Sequence, residues 1–142
     1  MSLTRRSALA PLPAALIAAQ HHFAQLQSPE PSQKLLFFTS REYNLVDRLA
    51  EMILPADEHS PGAREARVAA YIDLVLSHRP PARRNVFREG LASFAAAPEG
   101  ALAAAEKQPE TPAGRFFVEL KRLTLLGYYT SEIGLRRELG YQ

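Results

Sequence analysis

The chain contains no cysteine. That excludes disulfide cross-links, thiolate metal sites and a cysteine nucleophile, and it is neutral about redox compartment. Also missing are a glycine-rich dinucleotide fingerprint, a haem-attachment cysteine pair, a nucleophile elbow and a quartet of metal ligands. Alternating apolar and polar runs are absent and β-branched residues are sparse, so no strand is expected. Glycine is outnumbered by proline, 7 against 11, which favours short helices with sharp ends. What is present is 142 residues, the size of one domain able to bury a core unaided.

A surplus of one charge sign is missing too, once the N-terminus is set aside. The formal charge of +2 comes from 17 basic and 15 acidic residues. Residues 1–19 carry Arg5 and Arg6 and no acid, so the remainder holds 15 of each sign. A neutral body gains little from counterion release on phosphates, and nucleic acid is not expected as a partner.

Thr4-Arg5-Arg6-Ser7-Ala8-Leu9 approximates a twin-arginine export motif, and an Ala/Leu-rich, proline-broken stretch follows to Ala19. That stretch is too short to span a bilayer, which needs roughly 20 apolar residues. Residues 1–19 are therefore expected to be an export signal of the kind that carries folded proteins. Residues 20–34 are polar, with Pro29 and Pro31, and suit a linker. His21 and His22 are adjacent, so they cannot share a helical face as metal ligands would.

The folded body is expected over residues 35–142. Thr39 and Glu42 are spaced as a capping box, with Phe38 placed for a hydrophobic staple. Leu45, Val46, Leu49, Met52 and Ile53 then repeat at helical spacing up to Pro55. A second helix is predicted from Pro61 to about Ser77, with Val68, Tyr71, Ile72, Val75 and Leu76 inside and Arg64, Glu65, Arg67 and Asp73 outside. A third, about Ala82 to Ala96, would bury Val86, Phe87, Leu91 and Phe94 and display Arg83, Arg84 and Arg88 as a basic strip. A short Ala-rich helix over Pro98 to Lys107 has little to bury except Leu102. Thr111-Pro112 opens a long helix whose Phe116, Phe117, Leu120, Leu123 and Leu126, joined by Val118, make it the most apolar segment. It should be central, or extend its apolar face into an interface. The expected fold is all-α: a compact bundle of five or six short helices after an N-terminal leader.

Two stretches suggest function. Asp57, Glu58 and His59 lie in sequence between Pro55 and Gly62, as a general acid/base set or half a metal site could. The stronger explanation is structural: Asp57 and Ser60 suit turn and cap roles, and Pro61 suits a first helical position. At Gly127 the apolar helix runs into Tyr128 and Tyr129, then the polar turn Thr130-Ser131. Paired tyrosines can grip a partner, burying area while keeping a hydroxyl for a polar contact, or they can close the protein's own core.

Gly127-Tyr128-Tyr129-Thr130-Ser131-Glu132-Ile133-Gly134, followed by Glu138-Leu139-Gly140-Tyr141, resembles the C-terminal signature of the gluconate 2-dehydrogenase subunit 3 family. Phe38-Thr39-Ser40-Arg41-Glu42, Ile53-Leu54-Pro55-Ala56-Asp57, Ser60-Pro61-Gly62-Ala63 and Val68 to Asp73 are similar to that family as well, in the same order. The resemblance implies a non-catalytic small subunit of a bacterial FAD-dependent sugar, glycoside or sugar-acid dehydrogenase. FAD would be held by the large partner subunit, with no cofactor or metal in this chain, and a cytochrome c subunit would take the electrons. This chain would dock on the flavoprotein, assist its maturation in a chaperone-like way and carry the export signal of both to the periplasm, touching the membrane only indirectly. The residues marked as partner contacts are Phe116, Phe117, Tyr128, Tyr129, Thr130, Ser131, Ile133, Gly134, Pro55, Asp57, Pro61 and Gly62. The alternative is a freestanding helical module binding nucleic acid through Arg83, Arg84 and Arg88, or a ligand.

Overall fold

The computed structural model describes residues 34–138 and residue 140. The expectations for residues 1–33, Arg5 and Arg6 included, lie outside the described residues. Five α-helices follow in order: α1 Ser40–Ile53, α2 Val68–Ser77, α3 Pro81–Ala92, α4 Pro98–Lys107 and α5 Pro112–Tyr129. A π-helical turn, Gly134–Glu138, closes the series, and no strand occurs among the described residues. The all-α bundle expected from the sequence is thus observed.

α1 begins as the capping box dictates. The Thr39 hydroxyl accepts from the Glu42 N–H at 3.1 Å, and the Glu42 carboxylate accepts from the Thr39 N–H at 2.9 Å. Val46 and Leu49 are fully buried, and Leu45, Met52 and Ile53 pack at the margin of the core. The helix stops at Leu54, which turns extended (φ −134°, ψ 79°) ahead of Pro55. At the other end of the chain α5 is the hub and packs against every other element. Its start is also as predicted: Thr111 caps the Gly114 N–H at 3.0 Å, with Pro112 in the first turn.

The core is threaded by a row of rings. Phe37, Phe38, Phe87 and Phe116 follow one another at centroid separations of 5.2, 6.0 and 4.9 Å, and Phe94 adds a 5.2 Å contact to Phe116. These tilted and edge-on pairs add to the area that the rings bury. α3 can lie this close to α5 because residue 90 is glycine; a Cβ there would fall about against the Phe116 ring, 2.5 Å from Cδ2.

Four expectations are corrected. α2 begins at Val68, not Pro61, because Arg67 adopts a left-handed conformation (φ 59°, ψ 40°). Residues 63–67 instead form a single turn. The Val68 N–H donates to the Ala63 carbonyl and the Arg67 N–H to the Arg64 carbonyl, the paired bonds of a Schellman closure. α3 ends at Ala92 rather than Ala96, as Phe94 and Ala95 donate back three residues in a tightened turn.

Asp73, expected outside, is 2% exposed. Its carboxylate accepts from three successive backbone N–H groups, Leu36 at 2.7 Å, Phe37 at 3.0 Å and Phe38 at 2.8 Å. It thereby fixes the strand of chain entering α1 and satisfies donors that would otherwise be stranded against the core. Finally, Val86, expected inside, is 68% exposed, and Val118 and Leu126 are 54% and 41% exposed. Val86 stands about 100° around α3 from Phe87, and the inner stripe is already filled by Phe87 and Leu91, with Phe94 buried just past the helix end.

Candidate docking surfaces

The aromatic break after α5 divides its two tyrosines. Tyr128 is 1% exposed and belongs to the core, whereas Tyr129 is 39% exposed, its ring edge-on to Tyr128 at 5.3 Å. The turn beyond is tightly bonded. The Ser131 hydroxyl donates to the Tyr128 carbonyl at 2.5 Å and accepts from the Gly134 N–H at 3.0 Å. The Thr130 hydroxyl donates to the Leu126 carbonyl at 2.6 Å. A Cβ at Gly134 would overlap the Tyr128 carbonyl, so glycine is what lets the π-helical turn fold back on the helix end. Val118, Arg122, Leu126 and Tyr129 fall within about 80° of one another on α5, forming one outward stripe of mixed apolar and cationic character.

The corner after α1 is built around two carboxylates, one exposed and one inside. Asp57 accepts from the N–H groups of His59 (2.8 Å) and Ser60 (2.7 Å), an Asx turn. Those two bonds hold its carboxyl below the usual carboxylate range. This use of Asp57 is structural, and Glu58 and His59 are exposed beside it. Glu51 reaches into the corner from α1. It takes backbone hydrogen bonds from Arg64 and Ala56, while its Oε2 is buried without a hydrogen-bond partner. Burial pushes its carboxyl up, the charge of Arg64 only partly opposes this, and Asp47 one turn earlier adds repulsion. Asp47 is itself buried against Arg64 Nε at 2.7 Å and is likewise pushed up by burial. Gly62 passes directly over the Glu51 carboxylate, where a Cβ would collide with both oxygens. Among the described residues no three His, Asp or Glu side chains form a group that could hold a metal ion.

One concavity was not foreseen from the sequence. It is an open groove of about 870 Å³ between α3 and α5. Phe87, Gly90 and Phe116 form its floor, Ala82, Val86, Pro112 and Ala113 its apolar walls, and Arg79, Arg83, Glu89, Arg115 and Glu119 its rim. Arg79 donates to Glu119 at 2.5 Å, and Arg122 chelates the same carboxylate at 2.9 and 3.0 Å. Among the described residues neither Arg83 nor Arg115 has a carboxylate partner. The basic strip expected on α3 is shorter than its sequence suggests, because Arg88 turns inward. It binds Glu42 through Nε at 2.6 Å, donates to the Phe37 carbonyl at 3.0 Å and covers the Phe37 ring at 4.1 Å.

A family model described as gluconate 2-dehydrogenase subunit 3 matches residues 40–101 and 95–142. The chain belongs to the gluconate 2-dehydrogenase subunit 3 family. Neither the curated proteins nor the solved structures yield a match. Membership makes the chain a subunit of a multi-subunit dehydrogenase, in an accessory position.

For this subunit 3 chain, the residues marked from sequence as contacts separate by depth. Phe116, Phe117 and Tyr128 are core residues, and Gly62 and Gly134 are buried where their backbones must pass close to a neighbour. Pro55, Asp57, Tyr129 and Thr130 are exposed, and Pro61, Ser131 and Ile133 are half-buried. The structure joins Tyr128, Ser131 and Gly134 in one turn and Asp57 with Ser60 in another. Phe116 instead lies about 18 Å up α5 from Tyr128, at the floor of the groove. The groove's wall residue Val86 was visible in the sequence only as a supposed core position.

Proposed function

We propose that this chain is the non-catalytic small subunit of a periplasmic, FAD-dependent dehydrogenase of sugars, glycosides or sugar acids. It docks on the flavin-binding large subunit, helps that subunit mature, and carries the export signal for both. The observation that supports docking is the apolar surface left by a chain with a filled core: Val86, Val118, Leu126 and Tyr129 all stand outward on α3 and α5. Single exposed apolar residues are ordinary, but three on one helical stripe beside an apolar groove form a patch of the kind that partners cover. FAD belongs to the large subunit, and a cytochrome c subunit is the electron acceptor of the assembly. The export role follows from the route: a leaderless partner crosses a folded-protein pathway only if it is already bound.

Expression with and without the flavin-binding subunit tests the docking. Alone, the chain should be poorly soluble, and co-expression should rescue it into a complex that holds FAD. A highly soluble monomer that never co-purifies with a flavoprotein would show the subunit role to be wrong. Arg5→Lys combined with Arg6→Lys should strand dehydrogenase activity in the cytoplasm; unchanged periplasmic activity would remove the carrier role.

A further inference from the structure

We propose that the groove between α3 and α5 seats a helical segment of the large subunit, about three turns long, with an apolar face and flanking acidic residues. This rests on the subunit role above and states where, and by what chemistry, the contact is made. The groove wall on α3 runs from Ala82 to Ser93, about 17 Å along the helix axis. That length matches three turns of a guest helix. An extended strand is a poorer guest, because the walls are helices whose backbone groups are already bonded internally. They offer no free edge to a strand, whereas a helix arrives with its own backbone satisfied.

The floor and walls set the rest of the chemistry. Phe87 and Phe116 are held rigidly by the ring row and by Gly90, so the apolar floor is preorganised and binding orders few side chains. Val86 projects from the wall with most of its surface in solvent, which a guest's apolar face would cover. On the rim, Glu119 is occupied by Arg79 and Arg122. Two arginines, Arg83 and Arg115, then face Glu89 as the one carboxylate without an ion pair among the lining residues. The surplus of cations at the margins selects acidic residues beside the guest's apolar stripe.

Because the full chain lacks cysteine, Val86→Cys gives a single thiol for a benzophenone photo-crosslinker. In the complex with the flavin-binding subunit, the label should link to one helical segment of that subunit flanked by Asp or Glu. Cross-links confined to a second copy of this chain, or to a basic segment, would overturn the proposal. Val86→Asp should weaken the complex about thirtyfold, the scale of a binding hot spot, with helical content and melting unchanged because Val86 is already solvated. Arg83→Glu with Arg115→Glu should weaken it and flatten its salt dependence, while Ala104→Asp on the exposed side of α4 should bind as wild type. If wild type binds and Val86→Asp binds equally well, the groove assignment fails and the subunit role stands. If wild type itself does not bind the flavoprotein, both fall together.

Discussion

The two ends of α1 are both pinned by carboxylates, and they are pinned in opposite ways. At the N-terminal end Asp73 is saturated by three backbone N–H groups, and Glu42 is shared between its capping box and Arg88. Burial raises the Glu42 carboxyl, but the hydrogen bonds from Arg88 and Thr39 and the charge of Arg88 outweigh it, and the net direction is down. At the C-terminal end Asp47 and Glu51 share one arginine, one Glu51 oxygen is left without a donor, and burial drives both carboxyls up. The difference is that both oxygens of Asp73 and of Glu42 meet a donor, whereas one buried oxygen of Glu51 meets none. Two acids on one arginine leave a corner that resists ionisation.

The largest effect that would break this comparison is at Asp73. Asp73→Ala should cost about 3 kcal/mol or more, since it strands backbone donors next to the core rather than removing one contact. Urea unfolding of the full chain measures this, and a loss under about 1 kcal/mol would mean that water replaces the carboxylate. Next is Gly62→Ala, which forces a methyl against the Glu51 carboxylate and should destabilise by about 1–3 kcal/mol. In a double-mutant cycle, Glu51→Ala should relieve part of that cost; strict additivity would show that the clash lies with the Ala56 backbone instead.

Arg88→Met should cost about 1 kcal/mol, keeping some cover over Phe37 while losing the charge on Glu42. The smallest effect is in pH. The raised Glu51 and Asp47 give stability that is full below their unfolded values, 4.5 and 3.8, and lost as pH rises through their higher folded values. The lowered Glu42 gives stability present above 4.5 and lost as pH falls through its lower folded value. Mild acidification from neutrality should therefore tighten the C-terminal corner before stronger acid releases the N-terminal end. Glu51→Gln should reduce the mildly acidic gain in melting temperature and leave the loss in strong acid; an unaltered profile would locate the effect elsewhere.

The same two ends show what could be read in advance. The capping box at Thr39 and Glu42 was legible because both partners lie three residues apart, within reach of one helical turn. Asp73 was misplaced because its partners lie 35 to 37 residues away, and helical periodicity only sees neighbours. Arg67 was missed for a related reason: a left-handed non-glycine residue carries no sequence mark, so the predicted α2 ran through it. Val86 read as core because its spacing fits an inner face, yet Phe87 and Leu91 already fill the buried side of α3, and Phe94 is buried just past its end. The paired tyrosines at 128 and 129 could not say which ring faces inward, since adjacent residues on a helix end differ only by where the rest of the bundle lies.

By itself the sequence determined the helical class, the starts of α1 and α5 and the family, because each of these rests on local spacing or on ordered motifs. Only the tertiary structure decided which carboxylates are buried, which arginines are tied, and where apolar surface is left uncovered. Those outcomes depend on how helices distant in sequence divide a fixed supply of donors and core volume, and no window of neighbouring residues contains that information.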